Sequence, residues 1–302
     1  MNTEFEFSDR DFQHVRQIIN RIAGISLADG KRELVYSRLS RRLRYLGLSR
    51  FEDYCQLLET DESNAELGEF VNALTTNLTS FFRESHHFDF LAKELLPALI
   101  RERNASDRRI RIWSAGCSTG EEPYSIAMIL RETLPTAGWD VKILATDLDS
   151  NVLATAERGV YEANRVKDIS EMRLRRWFQK GRGEQSGLVR VAPMLRELIT
   201  FRRLNLMEDW PMRGPFDIVF CRNVVIYFDK PTQRVLFERF ADQLIDQGYL
   251  FVGHSESLFK VTDRFVPLGK TIYQRSSYDG QTMNKVPRTT KRLKNLRLPE
   301  FG

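Results

Sequence analysis

The sequence predicts an α/β protein built on a mostly parallel sheet, with an all-helical unit ahead of it and a small β-subdomain inserted into it. Three observations carry that prediction. Residues 1–75 show only helical periodicity. From Ile110 onward short apolar runs alternate with helical segments, the pattern of a parallel sheet covered on both faces. Residues 161–198 are too many for a simple connection and hold a strand-like run of their own. A length of 302 residues with 42% hydrophobic and 29% charged content fits one large or two smaller globular domains.

In the helical unit, Ser8 is placed to cap a helix through Phe12, Val15, Ile18, Ile19 and Ile22, with Asp11 in its first turn and Gly24 at its end. A second helix is expected over Asp29–Leu46, with Val35, Leu39, Leu43 and Leu46 as its apolar stripe. Shorter helices follow near Phe51–Glu59 and Asn64–Leu74. Between Lys31 and Arg50 stand seven basic residues and one acid, Glu33. One-signed charge on one element, with Lys31, Arg38, Arg41 and Arg42 on a common face, reads as a docking surface for an acidic partner or as a solvated face. Few aromatics and no groove-reading motif accompany it, so nucleic acid is not expected.

In the sheet unit, strands are expected at Ile110–Ser114, Val141–Thr146, Ile199–Leu204, Phe216–Cys221 and Tyr249–Gly253. Helices such as Pro123–Leu134 and Thr232–Ile245 lie between them. Phe265–Pro267 and Thr271–Arg275 read as a hairpin adding an antiparallel edge. The insertion offers a helix at Ser170–Phe178, a glycine turn at Lys180–Gly187 and a strand at Leu188–Val191, whose edge is either open to an added peptide or covered by its own subdomain. Residues 278–302 are polar and basic, which by composition predicts a disordered tail.

No apolar run approaches a membrane span and MNTEFEFSDR has no signal-peptide pattern, so a cytoplasmic, non-inserted protein is expected. Cys55, Cys117 and Cys221 are widely separated, fitting a reducing compartment and no metal-ligand spacing. His86 and His87 are adjacent and would point apart on a helix, so no metal is expected. The net charge of +5 invites an anionic partner without specifying it.

The run IRIWSAGCSTGEEPYS, Ile110–Ser125, is the most informative segment: strand, glycine turn, helix start. That arrangement brings backbone close to a nucleotide-like ligand. Glu121 and Glu122 would repel a pyrophosphate. They suit a ligand bearing cations and hydroxyls, such as S-adenosylmethionine, or they merely complement the helix dipole. Asp147, closing the second strand, is placed either for a ribose diol or as a helix cap ahead of Leu148–Glu157. Asn205-Leu206 and Arg222-Asn223 close two further strands at the same sheet edge. Tyr227 follows, as a site residue or a core aromatic. Thr75–Arg83 joins the two units as a hydroxyl-rich segment able to cover a ligand.

TNLTSFFRE (Thr76–Glu84), WSAGCSTGEEPYSIA (Trp113–Ala127), TDLD (Thr146–Asp149), GPFDIVFCRNVVIYFD (Gly214–Asp229) and GHSES (Gly253–Ser257) together resemble the CheR type of bacterial chemotaxis receptor methyltransferase, over about residues 5–276. The resemblance implies a Rossmann-like S-adenosylmethionine-dependent methyltransferase sheet over 110–277. It also implies an N-terminal helical receptor-docking domain over 1–75, a linker and lid helix over 76–109, and an inserted β-subdomain over 161–198. It implies cofactor contacts at Asn77, Thr79, Arg83, Glu122, Asp147, Asn205, Leu206, Arg222 and Asn223, with Arg83 and Tyr227 nearest the methyl transfer. The partners implied are the cytoplasmic helical bundle of chemoreceptors and, at the β-subdomain, a receptor C-terminal peptide, for which Lys180 stands where an arginine is expected.

The implied reaction is displacement at the sulfonium methyl by a glutamate carboxylate, leaving S-adenosylhomocysteine. A carboxylate of pKa about 4.3 is ionised at neutral pH, so no general base is required. Two other readings stand beside it. A nucleic-acid methyltransferase would use the basic helix to hold phosphates, although NVVIY lacks the prolines of the N-P-P-Y arrangement typical of base amino methylation. A non-catalytic module would bind S-adenosylmethionine and signal by contact.

Overall fold

The computed structural model describes residues 4–60, 65–103, 107–135, 138–212 and 214–277. The expected tail over 278–302 and the start of the expected helix at Asn64 lie outside the described residues.

Helix α1 (Asp9–Ala23) begins with a reciprocal box: the Ser8 hydroxyl accepts from the Asp11 amide, and the Asp11 carboxylate accepts from the Ser8 amide. Such a cap stabilises a helix by about 1 kcal/mol. Gly24 ends it at φ 69°. Helix α2 (Arg32–Leu46) starts later than its periodicity predicts, because Asp29–Lys31 form a separate 3-10 turn. With α3 (Phe51–Thr60) and α4 (Ala65–Leu74) they enclose a core of Phe12, Val15, Ile19, Leu39, Tyr54 and Phe70.

The basic stripe of α2 is largely committed inside the unit. Arg42 Nε donates to Glu66 Oε1 at 3.0 Å, and that carboxylate also accepts from the Tyr54 hydroxyl at 2.8 Å. Arg38 donates to the carbonyls of Ala73 and Thr75, at 3.2 and 2.7 Å. Arg32 pairs with Asp9, and Arg44 with Glu4. A uniformly free basic face is therefore not what α2 presents; Arg41 remains exposed.

Beyond the linker, α5 (His86–Phe90) continues through a π-helical turn (Leu91–Leu95) into α6 (Leu96–Glu102). The expected lid helix is a core element instead. Phe88, Leu91, Leu95 and Leu96 are buried against the sheet, because this stretch is too apolar to remain a mobile cover.

The sheet strands are β1 (Arg109–Ala115), β2 (Asp140–Asp147), β6 (Ile199–Arg203), β7 (Phe216–Cys221), β8 (Leu244–Val252), β9 (Phe265–Gly269) and β10 (Ile272–Arg275). Their order is β6-β2-β1-β7-β8-β10-β9. The first five run parallel; β10 pairs antiparallel with both β8 and β9, the expected hairpin. The chain leaves β1 toward β2 on one side and later returns to β7 on the other, so β1/β7 is the switch point, where a crevice opens beyond the strand ends. Alternation assigns the two faces. Ile112, Phe220 and Phe251 join one core beneath α7 (Glu121–Thr133), while Trp113, Val219 and Leu250 join the other beneath α11 (Lys230–Gln243).

Strand β8 begins at Leu244, earlier than predicted. It passes through an irregularity in which Gln247 takes φ 60° and the pairing with β7 shifts between Phe216 and Ile218. After α8 (Ser150–Arg158) comes the insertion: β3 (Val160–Glu162), α9 (Glu171–Trp177), β4 (Phe178–Lys180), β5 (Leu188–Val191) and α10 (Pro193–Arg196), with sheet order β3-β5-β4. Its Trp177, Val189 and Val191 are buried in the same core as β1.

Candidate active site

The glycine turn after β1 is shaped by backbone. The amides of Gly116 and Cys117 donate to the Thr146 carbonyl of β2, at 2.8 and 2.9 Å. Gly116 has φ 82°, and a Cβ there would lie 2.3 Å from Val224 Cγ2, so only glycine fits. Ser118, at φ 50°, turns its amide to Asp147 Oδ2 at 2.7 Å and its hydroxyl to the Asn77 carbonyl at 2.9 Å. The cavity bounded by this turn has a volume of about 380 Å³. Every one of the sequence-predicted site residues lines it: Asn77, Thr79, Arg83, Glu122, Asp147, Asn205, Leu206, Arg222, Asn223 and Tyr227.

The helical unit forms part of the same wall, through Ala23, Ile25, Ser26, Leu27, Ala28, Lys31 and Leu34. Sequence reading gave that unit only a docking role. Its attachment is polar and specific. Asn205 Nδ2 donates to the Ile22 carbonyl at 2.7 Å, Ser26 N to the Tyr227 carbonyl at 2.8 Å, and the Thr75 hydroxyl to Asp149 Oδ2 at 2.9 Å.

The site residues differ in what their side chains are free to do. Asp147 directs its carboxylate to the Ser118 and Asp149 amides and borders the cavity. Burial pushes its pKa up to about 6 against the pull of those amides. It does not cap the following helix; Asp149 does, accepting from the amides of Asn151 and Val152. The amide of Asn77 is committed to Asp149 Oδ2 at 2.7 Å, and that of Asn205 to Ile22 and Glu208. Both asparagines line the cavity while their side-chain amides also tie its walls together.

Arg222 is likewise enclosed. Its guanidinium lies between Glu122 Oε2 at 3.0 Å and Glu84 Oε2 at 3.2 Å, donates to the Arg83 carbonyl, and stands 5.6 Å from the Phe88 ring centroid. It therefore fixes the backbone that presents Arg83. Burial raises the Glu122 pKa, against the attraction of Arg222 and the bond from Ser114 Oγ at 2.8 Å. Glu84 shifts the other way, to about 2. Burial raises it, but the bond from His254 at 2.8 Å and the Arg222 charge outweigh that effect. Arg83 itself donates to the Leu78 carbonyl at 2.7 Å, holding the linker in a closed turn over the cavity.

Sequence reading assigned no role to Glu84, His254 or Glu256. Glu84 and Glu256 sit inside the recognised motifs TNLTSFFRE and GHSES, but nothing local indicates which distant groups they meet. The two histidines also differ from expectation. The His86 and His87 rings lie 4.1 Å apart, and with Glu84 their ligand atoms come within 4.8 Å of one another. Glu84 is already engaged by Arg222 and His254. His87 is fully buried with Nε2 at 3.0 Å from the Lys270 carbonyl, and burial with the Arg222 charge pushes its pKa down to about 3.

A parallel sheet ended by an antiparallel hairpin, a glycine turn after its first strand and an acid closing the second together define an α/β methyltransferase of the Rossmann-like class. Within it, the chain belongs to the CheR methyltransferase family. The family's all-alpha domain matches residues 10–75, and its S-adenosylmethionine-binding domain matches residues 77–274. The chain is 48% identical over 273 residues to chemotaxis protein methyltransferase 2 of Pseudomonas aeruginosa, covering 90% of this chain and 95% of that one. It is 46% identical over 277 residues to the chemotaxis protein methyltransferase of Escherichia coli, covering 91% and 94%. Identity to the chemotaxis protein methyltransferase of Borreliella burgdorferi is 38% over 261 residues, covering 85% and 91%. Among the described residues no helix is long and apolar enough to cross a membrane.

Proposed function

We propose that this protein methylates glutamate side-chain carboxylates of chemoreceptors in chemotaxis, forming methyl esters. The observation that carries this reading is the convergence of Arg83, Asp147 and Tyr227 on one cavity, whose walls include the glycine turn and the helical unit. The glycine turn after the first strand has the form that brings backbone close to a nucleotide-like ligand such as S-adenosylmethionine, and Gly116 and Ser118 of that turn border the cavity. Asp147 supplies an acceptor for ribose hydroxyls. Asn77, Thr79, Glu122, Asn205, Leu206, Arg222 and Asn223 would complete the cofactor walls, several of them through backbone or through the residues they hold. When bound, the cofactor supplies a methyl group activated on a sulfonium.

The chain's own residues then have to align and shield. Tyr227 would hydrogen-bond the incoming carboxylate, and Arg83 would hold a negatively charged group at the cavity that both residues line. The linker Thr75–Arg83 limits water entry. Alignment of this kind accounts for several kcal/mol of barrier lowering, on the order of 7–11 at best. No side chain is required to abstract a proton, because the nucleophile is already anionic. With the cofactor bound, the O–CH₃ bond would form as the S–CH₃ bond breaks, and S-adenosylhomocysteine would be the leaving product.

The partner is the cytoplasmic helical bundle of a receptor, approached through the helical unit. Leu188–Val191 is the central strand of the small sheet, so its edge is covered by β3 and β4, and a receptor tail peptide would have to add at an outer strand such as β4, where Lys180 is exposed. The test is methyl-labelled S-adenosylmethionine supplied with receptor. Alkali-labile label on receptor glutamates is expected, whereas stable label on RNA, or no transfer with cofactor bound, overturns the reading.

A further inference from the structure

We infer that Glu256 is a positioning residue for methyl transfer, its carboxylate fixing the loop that presents Tyr227. The inference rests on the proposed methyl-transfer reading and extends it to a residue outside the cavity wall.

Glu256 lies in the turn after β8 and is 4% exposed. Its Oε2 accepts from the amides of Asn223 at 2.9 Å and Gly253 at 2.5 Å. Its Oε1 accepts from Val224 at 2.9 Å and Ile226 at 3.2 Å. Three of these donors belong to the segment leading from β7 into the 3-10 turn Val225–Tyr227, which has no side-chain cap of its own. A residue from the next strand's end thus does what a cap does, satisfying the amides that a helix start leaves open.

The grip is also conformational. Asn223 turns the chain at φ 58°, a left-handed conformation that asparagine tolerates, and its amide is fixed there by the Glu256 carboxylate. Its amide nitrogen Nδ2 reaches Glu84 Oε1 at 3.4 Å, and a Cβ on Gly253 would lie only 2.4 Å from that nitrogen. Above the turn, Tyr227 N donates to the Val224 carbonyl at 3.2 Å, and the Tyr227 carbonyl accepts from Ser26. Glu256 therefore fixes the turn from beneath, and Ser26 fixes it from the helical unit. Both carboxylate oxygens are needed, because each takes two amides. Glu256→Gln keeps the shape but replaces one oxygen with a donor facing N–H groups. Glu256→Asp keeps the charge but falls one methylene short.

The experiment measures single-turnover methyl transfer to receptor, S-adenosylmethionine affinity by calorimetry, and the ¹⁹F resonance of Tyr227 in fluorotyrosine-labelled protein, assigned by its loss in Tyr227→Phe. Glu256→Gln is expected to slow transfer about tenfold or more, a larger factor than its weakening of cofactor affinity, and to shift or broaden the Tyr227 resonance. In the Tyr227→Phe background it should slow transfer little further, a non-additivity that general destabilisation would not give. If Glu256→Gln does not fold, Glu256→Asp takes its place.

An unmoved Tyr227 resonance overturns the inference, as does fully additive loss in the double variant. Wild-type transfer by Tyr227→Phe overturns it as well, since nothing would then need positioning. A wild-type protein that methylates no receptor defeats the functional reading alone, and the resonance still decides whether Glu256 holds Tyr227.

Discussion

The Ser26 amide donates to the Tyr227 carbonyl at 2.8 Å, joining the helical unit to the loop proposed to face the acceptor. The helical unit is thus part of the site's scaffold as well as a proposed docking surface. Gly24, just before this contact, sits at φ 69°, and a Cβ there would lie 2.5 Å from Met207 Sδ and 3.3 Å from Phe228. Gly24→Ala should cost about 1–2 kcal/mol through left-handed strain, visible as a lower melting temperature. It should also slow transfer if Tyr227 matters. Unchanged stability and rate would make the junction dispensable.

Tyr227→Phe removes one hydrogen bond and little volume. Turnover should drop about tenfold or more, since about 1.36 kcal/mol of barrier is a factor of ten, while cofactor affinity and melting temperature barely move. Arg83→Ala should slow turnover and also loosen the linker, because its bond to the Leu78 carbonyl is lost. Single-turnover kinetics beside calorimetry separates the two, and wild-type rates for Tyr227→Phe would leave it a packing residue.

Asp147 should make cofactor binding pH-dependent. Its pKa in the free protein is raised to about 6 by burial, and the ionised form is the better acceptor for ribose hydroxyls. Affinity should rise as pH increases from about 5 to 7. Asp147→Asn should flatten that dependence, and Asp147→Ala should weaken binding by about 1–3 kcal/mol. Calorimetry across the pH range checks both; a parallel pH response in the asparagine variant would exclude Asp147 as its source.

Glu84 works in the opposite sense. Its folded pKa of about 2 lies below the ordinary glutamate value, so its contribution to stability is present above about pH 4.5 and is lost as pH falls toward 2. Glu84→Gln removes one of the two carboxylates flanking Arg222 and should cost about 3 kcal/mol near pH 7, the scale for breaking a buried pair. The difference from wild type in denaturant unfolding should shrink below pH 4. A difference independent of pH would mean the loss is one of packing.

On α2 the residues to compare are Arg41 and Arg42. Arg42→Ala removes the guanidinium paired with the buried Glu66 carboxylate and should lower stability by about 3 kcal/mol. Exposed Arg41→Glu should leave stability alone and weaken salt-sensitive receptor binding, if this face docks receptors. Normal receptor binding by Arg41→Glu, at low and high salt, would remove α2 from the docking surface.

The alternation of apolar strands with helical segments determined the sheet, because a strand buried on both faces must be apolar almost throughout. Phe216–Cys221 was legible to the residue for that reason. The Ser8 cap and the Gly24 stop were equally local, each requiring only a few neighbouring residues. The glycine turn and the acid closing β2 likewise placed the cleft from sequence. What sequence could not decide was which polar groups would meet across long separations. Nothing local shows that the Asn205 amide reaches the Ile22 carbonyl of the helical unit, or that Glu256 gathers backbone amides from two loops. Arg42 read as part of a docking or solvated face and is paired with Glu66. Partner choice in a folded chain follows from which desolvated donors and acceptors the packing of apolar faces brings together, and only the tertiary structure fixes that juxtaposition.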